Sequence, residues 1–160
     1  MPYRITFVCT GNICRSPMAE HVLRRRAEEA GLDVVVDSSG TGGWHIGDPA
    51  DHRTVRTLRR HGYTSAHSAR KFQRSWFDEY DLVVALDRGH ERELRRQART
   101  AQDTAKIRLL RSFDPLAGED LDVPDPYYGD DTDFEHVLDL VEAAVPGLLA
   151  EAARAAKAEA

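Results

Sequence analysis

Cysteine is scarce in this chain: Cys9 and Cys14 are the only two in 160 residues. Two thiols cannot build a disulfide framework, so the fold must stand on a buried core, and a reducing cytoplasm is the expected setting. They are also too few for a closed zinc site, which needs a second pair of ligands. Long apolar runs are missing, so no segment is expected to span a membrane. No signal-peptide pattern opens the chain, which leaves export only by a route that needs none. A basic excess is missing as well: the formal net charge is −5. The cationic residues, nearly all arginine, are spread over stretches such as Arg53–Arg60 and Arg92–Arg99. They read as solvated helix faces, not as the footprint of a nucleic-acid binder. With no internal repeat and no linker, residues 1–160 are expected to form one domain and a monomer. Its Ala-rich end, 151–160, is expected to be a frayed helical tail.

What is present alternates strand and helix. Tyr3–Val8 is an apolar strand, and Met18, Val22, Leu23, Ala27 and Ala30 follow at helical spacing with Gly31 as the stop. Val34–Asp37 is a β-branched run that enters a turn-rich SSGTGG stretch. His52–His61 reads as a helix with Val55 and Leu58 inward, ended by Gly62. Leu82–Leu86 is a continuous apolar strand, Gly89 to about Ala101 a charged helix, Lys106–Leu110 a short strand, and Phe134 to about Ala156 the closing helix. Near-continuous apolar strands separated by helices predict a parallel sheet covered on both faces. Such sheets bind at the carboxyl ends of their strands, where the strand order reverses.

Cys9 falls at that place, in the stretch CTGNICRSP. Gly11 and Asn12 tolerate positive φ and let the chain turn sharply after the strand. Ser16 is expected as the N-cap of the next helix, with Pro17 in its first turn. A loop entering a helix N-terminus points its N–H groups at an anion, and the helix dipole favours that anion. The same nest favours the thiolate of Cys9. Arg15 carries a planar fork that can grip two phosphate oxygens. These are the parts of a phosphate-cradling loop with its own nucleophile. A second element lies in a long acidic loop from about Ser112 to Asp133, where Asp125 is followed by Pro126, Tyr127 and Tyr128. A loop of that length in a compact domain is usually functional, and Asp125 suits a general acid above an aromatic-walled pocket.

The segments FVCTGNICRSPMAE, SSGTGGWHIGDPAD, HSARKF, LVVALDRGH and VPDPYYGD resemble the low-molecular-weight protein tyrosine phosphatases over nearly the whole chain. GTGGWHIGDPAD and SFDP are most similar to the actinobacterial members. The resemblance implies an α/β fold with a four-stranded parallel sheet, order 2-1-3-4, helices on both faces and the phosphate loop after strand 1. It implies hydrolysis of phosphotyrosine in two steps through phosphocysteine, with no metal and no cofactor. Carried over by position, Cys9 is the nucleophile. Arg15 and the amides of Thr10, Gly11, Asn12, Ile13, Cys14 and Arg15 hold the phosphoryl oxygens. Asp125 is the general acid and base, and Ser16 donates to the Cys9 sulfur. Asn12 shapes the loop, His67 hydrogen-bonds Asn12, and Asp87 organises the surrounding loops. The implied partners are phosphotyrosine-containing proteins or peptides, with inorganic phosphate as product and competitive ligand.

Some residues keep two readings at this level. His67 is either that hydrogen-bond partner or a polar surface residue, and Asp87 either organises loops or simply caps the helix after LVVAL. Trp44, Tyr127 and Tyr128 are either core aromatics or pocket walls that stack on a phenyl ring. Cys14 is either a small buried hydrophobe or the thiol that traps an oxidised Cys9 as a disulfide. Two other activities are disfavoured. Arsenate reduction on this fold needs more cysteines for its relay, and a non-catalytic phosphotyrosine reader would be expected to have lost Cys9, Arg15 or Asp125.

Overall fold

The computed structural model describes residues 2–159. Strands β1 (Tyr3–Cys9), β2 (Val34–Gly40), β3 (Leu82–Ala85) and β4 (Ile107–Leu109) form one parallel sheet in the order β2-β1-β3-β4. Its helices are α1 (Arg15–Glu29), α2 (His52–Arg60), α3 (Arg88–Gln97), α4 (Ala101–Ala105) and α5 (Asp131–Glu159). The α/β class and the 2-1-3-4 order match the expectation.

Side chains on a strand alternate between faces, and β1 and β3 divide the core accordingly. Ile5, Phe7, Cys9, Leu82 and Val84 enter the layer filled by α1 and α5, with Met18, Leu23, Leu138 and Val145. Val8, Val83 and Ala85 enter the opposite layer with Phe72, Phe77, Tyr80 and Leu94. Both faces are covered, which is why the strands read as continuous apolar runs.

Several boundaries differ from the sequence reading. β2 runs on through Ser38, Ser39 and Gly40, because those small residues pair with Phe7, Val8 and Cys9. The charged helix expected from Gly89 to Ala101 ends at Gln97. A separate α4 starts where the Thr100 hydroxyl caps Asp103 N–H. α5 begins three residues before Phe134, where the Asp130 carboxylate accepts from the N–H groups of Thr132 and Asp133. In α2, Leu58 is buried as expected, but Val55 is only half-buried and Thr54 and Thr57 take the inner positions. The segment expected to fray is helical as far as Glu159 and buries Ala152.

The sheet order places β1 between β2 and β3, so strand order reverses at β1. Cys9, Gly40 and the start of the turn after Ala85 lie together at the carboxyl edge. Gly40 sits directly under the loop that follows β1: a Cβ there would stand 2.6 Å from Thr10 O. Any larger residue would push the loop off the sheet.

Candidate active site

Between β1 and α1, Thr10–Cys14 loops across the carboxyl edge of the sheet. Its carbonyl groups are taken from outside. Thr41 N–H donates to Cys9 O, Gly42 N–H to Thr10 O and Asp51 N–H to Ile13 O. His67 Nε2 donates to Asn12 O (2.6 Å) and Thr54 Oγ1 to Cys14 O (3.3 Å). Every described peptide is trans, so each N–H points away from the carbonyl of its own plane. The amides of Thr10, Gly11, Ile13, Cys14 and Arg15 therefore turn to the inner side of the loop.

Asn12 is the hinge of this clasp. At φ 59° it is the one non-glycine residue with positive φ among those described. Its buried amide is fully bonded: Nδ2 donates to Ser16 Oγ (2.8 Å) and Ser38 Oγ (2.9 Å), and Oδ1 accepts from Arg70 N–H (2.9 Å). Gly11, which was also read as a positive-φ candidate, has negative φ.

The Ser16 N-cap expected from the sequence does not form. α1 starts two residues earlier than that cap would place it, Cys14 holds the cap position, and no side chain caps the helix. The first turn carries no acidic residue either, which leaves its N–H groups and dipole to an outside anion. Ser16 instead places Oγ 2.8 Å from Cys9 Sγ. Because Asn12 already donates to that oxygen, the Ser16 proton can point at the sulfur; Ser39 O, at 3.3 Å, is the weaker alternative acceptor. Cys9 itself is 3% exposed, at the floor of the loop.

Arg15 is 4% exposed. Its Nη1 donates to Asp87 Oδ2 (2.9 Å) and to Val123 O (2.8 Å), while Nη2 lies 3.5 Å from Thr10 Oγ1 and 3.4 Å from His90 Nε2. Asp87 also caps α3, its other oxygen accepting from His90 N–H (2.9 Å), so it joins Arg15 to the start of that helix. Burial raises the Asp87 carboxyl, but the bond from His90 N–H and the Arg15 guanidinium outweigh it and hold the group below the usual range. Asp125 Oδ2 stands 3.9 Å from Arg15 Nη2 with half of its side chain exposed, and Oδ1 accepts from Tyr127 N–H.

Together these groups line a cavity of about 370 Å³. Cys9, Thr10, Gly11, Ile13, Cys14 and Arg15 form the floor, Trp44 and His45 one wall, and Asp125, Tyr127 and Tyr128 the other. None of the three wall aromatics is a core residue: Trp44 is 74% and Tyr128 94% exposed, and Tyr127 is held edge-on to Tyr128 with Arg53 over its ring. Gly42 is needed for this wall, because the Trp44 indole lies where a Cβ would be. Asn12, Ser16, His67 and Asp87 stand outside the cavity and support it. Cys14 is a buried thiol that desolvation, ahead of Asp51 and Cys9, pushes up to about 12. His67 is held below the usual histidine range by burial, ahead of the opposing pull of Asn12 O and Glu20.

Three participants were not identified from the sequence. Val123 contributes only a backbone carbonyl, which leaves no side-chain signal. His45 reaches the cavity because the 41–48 turn folds over Gly11. His90 could have been found: the Asp87-x-x-His90 spacing at a helix start returns the fourth side chain toward the cap residue.

Residues 4–158 match the family described as low molecular weight phosphotyrosine protein phosphatase. The chain is similar to the low molecular weight protein-tyrosine-phosphatase of Streptomyces coelicolor, 64% identical over 153 residues covering 94% of this chain and 93% of that one. To the low molecular weight protein-tyrosine phosphatase A of Mycobacterium tuberculosis it is 50% identical, covering 92% and 90%. Among solved structures, a protein tyrosine phosphatase from Entamoeba histolytica with Hepes in its active site superposes with a TM-score of 0.90 at 32% identity, covering 96% and 98%.

Proposed function

The chain belongs to the low molecular weight phosphotyrosine protein phosphatase family, and from that premise we propose that it hydrolyses protein phosphotyrosine through a phosphocysteine on Cys9. The observation that carries this reading is the clasped loop. Peptide planes fixed from outside present their N–H groups around a sulfur at the bottom of the cavity. A phosphoryl group seated there has its oxygens on the amides and Arg15, and its phosphorus above Cys9 Sγ.

In the first step the Cys9 thiolate attacks phosphorus in line and the P–O bond to the phenol breaks. Asp125, half-exposed on the opposite wall, gives its proton to the departing phenolate. Negative charge on the equatorial oxygens meets donors that are already in place, so little reorganisation is needed as the transition state forms. In the second step a water attacks phosphorus and Asp125 takes its proton. The P–S bond breaks, the thiolate leaves onto the Ser16 hydroxyl, and inorganic phosphate departs. Phosphate binds the same cradle and competes with substrate. The depth of Cys9 favours a phenyl phosphate over a shorter alkyl one, and Trp44, Tyr127 and Tyr128 are placed to stack on the ring.

The test is phosphate release from matched phosphotyrosine and phosphoserine peptides in EDTA, with wild type beside Cys9→Ser. Turnover of phosphotyrosine alone, lost by about 10⁴-fold or more in the variant, is expected for removal of a nucleophile. A folded wild type that binds phosphotyrosine without turning it over would make the chain a reader instead.

A further inference from the structure

His90 is a buried titratable side chain that the two-step reaction does not use. It sits in the first turn of α3, 4% exposed, and its ring fills the space between Asp87, Thr10 and Arg15. Nε2 is 2.8 Å from Thr10 Oγ1 and 3.4 Å from Arg15 Nη2, while Nδ1 faces Asp87 Oδ1 at 3.1 Å. The protonation of this ring follows from its neighbours. A guanidinium can only donate, so the nitrogen facing Arg15 must be the acceptor. Nε2 is then bare, Thr10 donates its hydroxyl proton to it, and the ring proton sits on Nδ1 toward Asp87. That Nδ1 contact is poorly aligned and has no other partner, so the neutral ring turns its N–H dipole toward the carboxylate without making a strong hydrogen bond.

Counting donors on Arg15 shows what this achieves. Of its five N–H groups, the two on Nη1 go to Asp87 and Val123 O, and one on Nη2 goes to the Thr10–His90 pair. Nε–H and the second Nη2–H remain, side by side on one edge. That edge can take two oxygens of one phosphoryl group.

We propose that His90, as the Nδ1–H tautomer, is a positioning residue that holds the Arg15 guanidinium and the Thr10 hydroxyl so that the Nε–Nη2 edge of Arg15 faces the phosphoryl oxygens. The proposal deepens the phosphatase reading and rests on it for its consequence in turnover. The tautomer and the grip on phosphate are consequences that can be read without turnover. The charged groups around the ring support a neutral imidazole. Burial and then Arg15 from α1 pull His90 down to about 4, against Asp87 on its own helix and Asp125 and Asp122 on the acidic loop. A protonated ring would set a second cation against Arg15 and remove its acceptor.

The experiment pairs imidazole ¹⁵N NMR of the intact protein at pH 6 with kinetics and phosphate inhibition of two variants. In wild type the Nδ1–H tautomer is expected. His90→Phe keeps the ring volume but not the acceptor. It should lower kcat/KM for a phosphotyrosine peptide and weaken inhibition by inorganic phosphate, each by about ten- to a hundredfold, as for loss of a charge-assisted hydrogen bond. His90→Gln returns an acceptor oxygen near the Nε2 position and should recover most of both losses, even where the two variants melt at the same temperature. An Nε2–H or doubly protonated ring in wild type, or phosphate inhibition unchanged in His90→Phe, overturns the proposal. So does a Gln variant no better than Phe, because a space-filling role would make no distinction between an acceptor and a hydrocarbon. Should wild type fail to turn over phosphotyrosine, the catalytic reading falls, while the tautomer and the phosphate affinities still judge His90.

Discussion

The floor of the cavity and the wall that carries Asp125 are built on opposite principles. In the phosphate loop Asn12, Cys14 and Arg15 are buried, and the carbonyls of Thr10, Asn12, Ile13 and Cys14, the Asn12 amide and the Arg15 fork are bonded to other parts of the chain. The acid-bearing stretch from Asp114 to Asp130 has no regular structure. It is tethered at its middle, where Arg88 N–H donates to Asp122 Oδ1, Arg111 reaches Asp122 O and Val123 N–H donates to Leu86 O. Beyond Val123 the loop is mostly exposed, and Asp125 touches the cradle only through the long 3.9 Å contact with Arg15. In the proposed reaction, rigidity lies where oxygens would be met at fixed distances, and freedom where a substrate would enter and a proton travel.

That contrast predicts how the two regions break. On the loose side, Asp125→Asn should cost the most activity and no stability. A loss of about 10²–10⁴ in kcat is expected for a general acid, with inhibition by inorganic phosphate unaltered. Stopped-flow rates, beside urea melts, would check both halves. On the rigid side, Asn12→Ala should damage both properties. It removes three buried hydrogen bonds and puts alanine at φ 59°, a destabilisation of about 3–5 kcal/mol that a urea midpoint would report. Activity should fall with it, since the inward amides lose their hinge. The smallest effect belongs to Trp44→Ala. The indole is exposed, so stability should move by less than about 0.5 kcal/mol. KM for a phosphotyrosine peptide should rise by only about two- to tenfold, the worth of one aromatic stack. Steady-state kinetics with peptide and with inorganic phosphate would separate the wall from the cradle.

The same contrast governs what the sequence could disclose. Local features were legible: the apolar strand before Cys9, the turn at Asn12, Arg15 close to a helix start, and the Asp125-Pro126-Tyr127-Tyr128 run. The sheet order came from the family resemblance, not from periodicity. Ser16 misled because a serine before a proline reads as a cap, yet α1 has no side-chain cap and the hydroxyl is turned to Cys9. Most of the clasp was invisible because it comes from backbone groups of Thr41, Gly42 and Asp51 and from the side chain of Thr54, all distant in sequence, while the His67–Asn12 contact was expected from the family resemblance alone. His90 was hidden in plain view within LVVALDRGH, since a histidine on the buried face of a helix beside Leu94 is most simply a core residue.

The central claim is that Cys9 carries the phosphoryl group between the two steps. Its most direct test is acid quench of the wild-type protein within its first turnovers on a phosphotyrosine peptide, followed by mass mapping of the digest. The account predicts one phosphoryl group on the peptide that contains Cys9, appearing before free phosphate and absent in Cys9→Ser. Steady turnover with that peptide unmodified at every quench time, or the phosphoryl group on another residue, would contradict it.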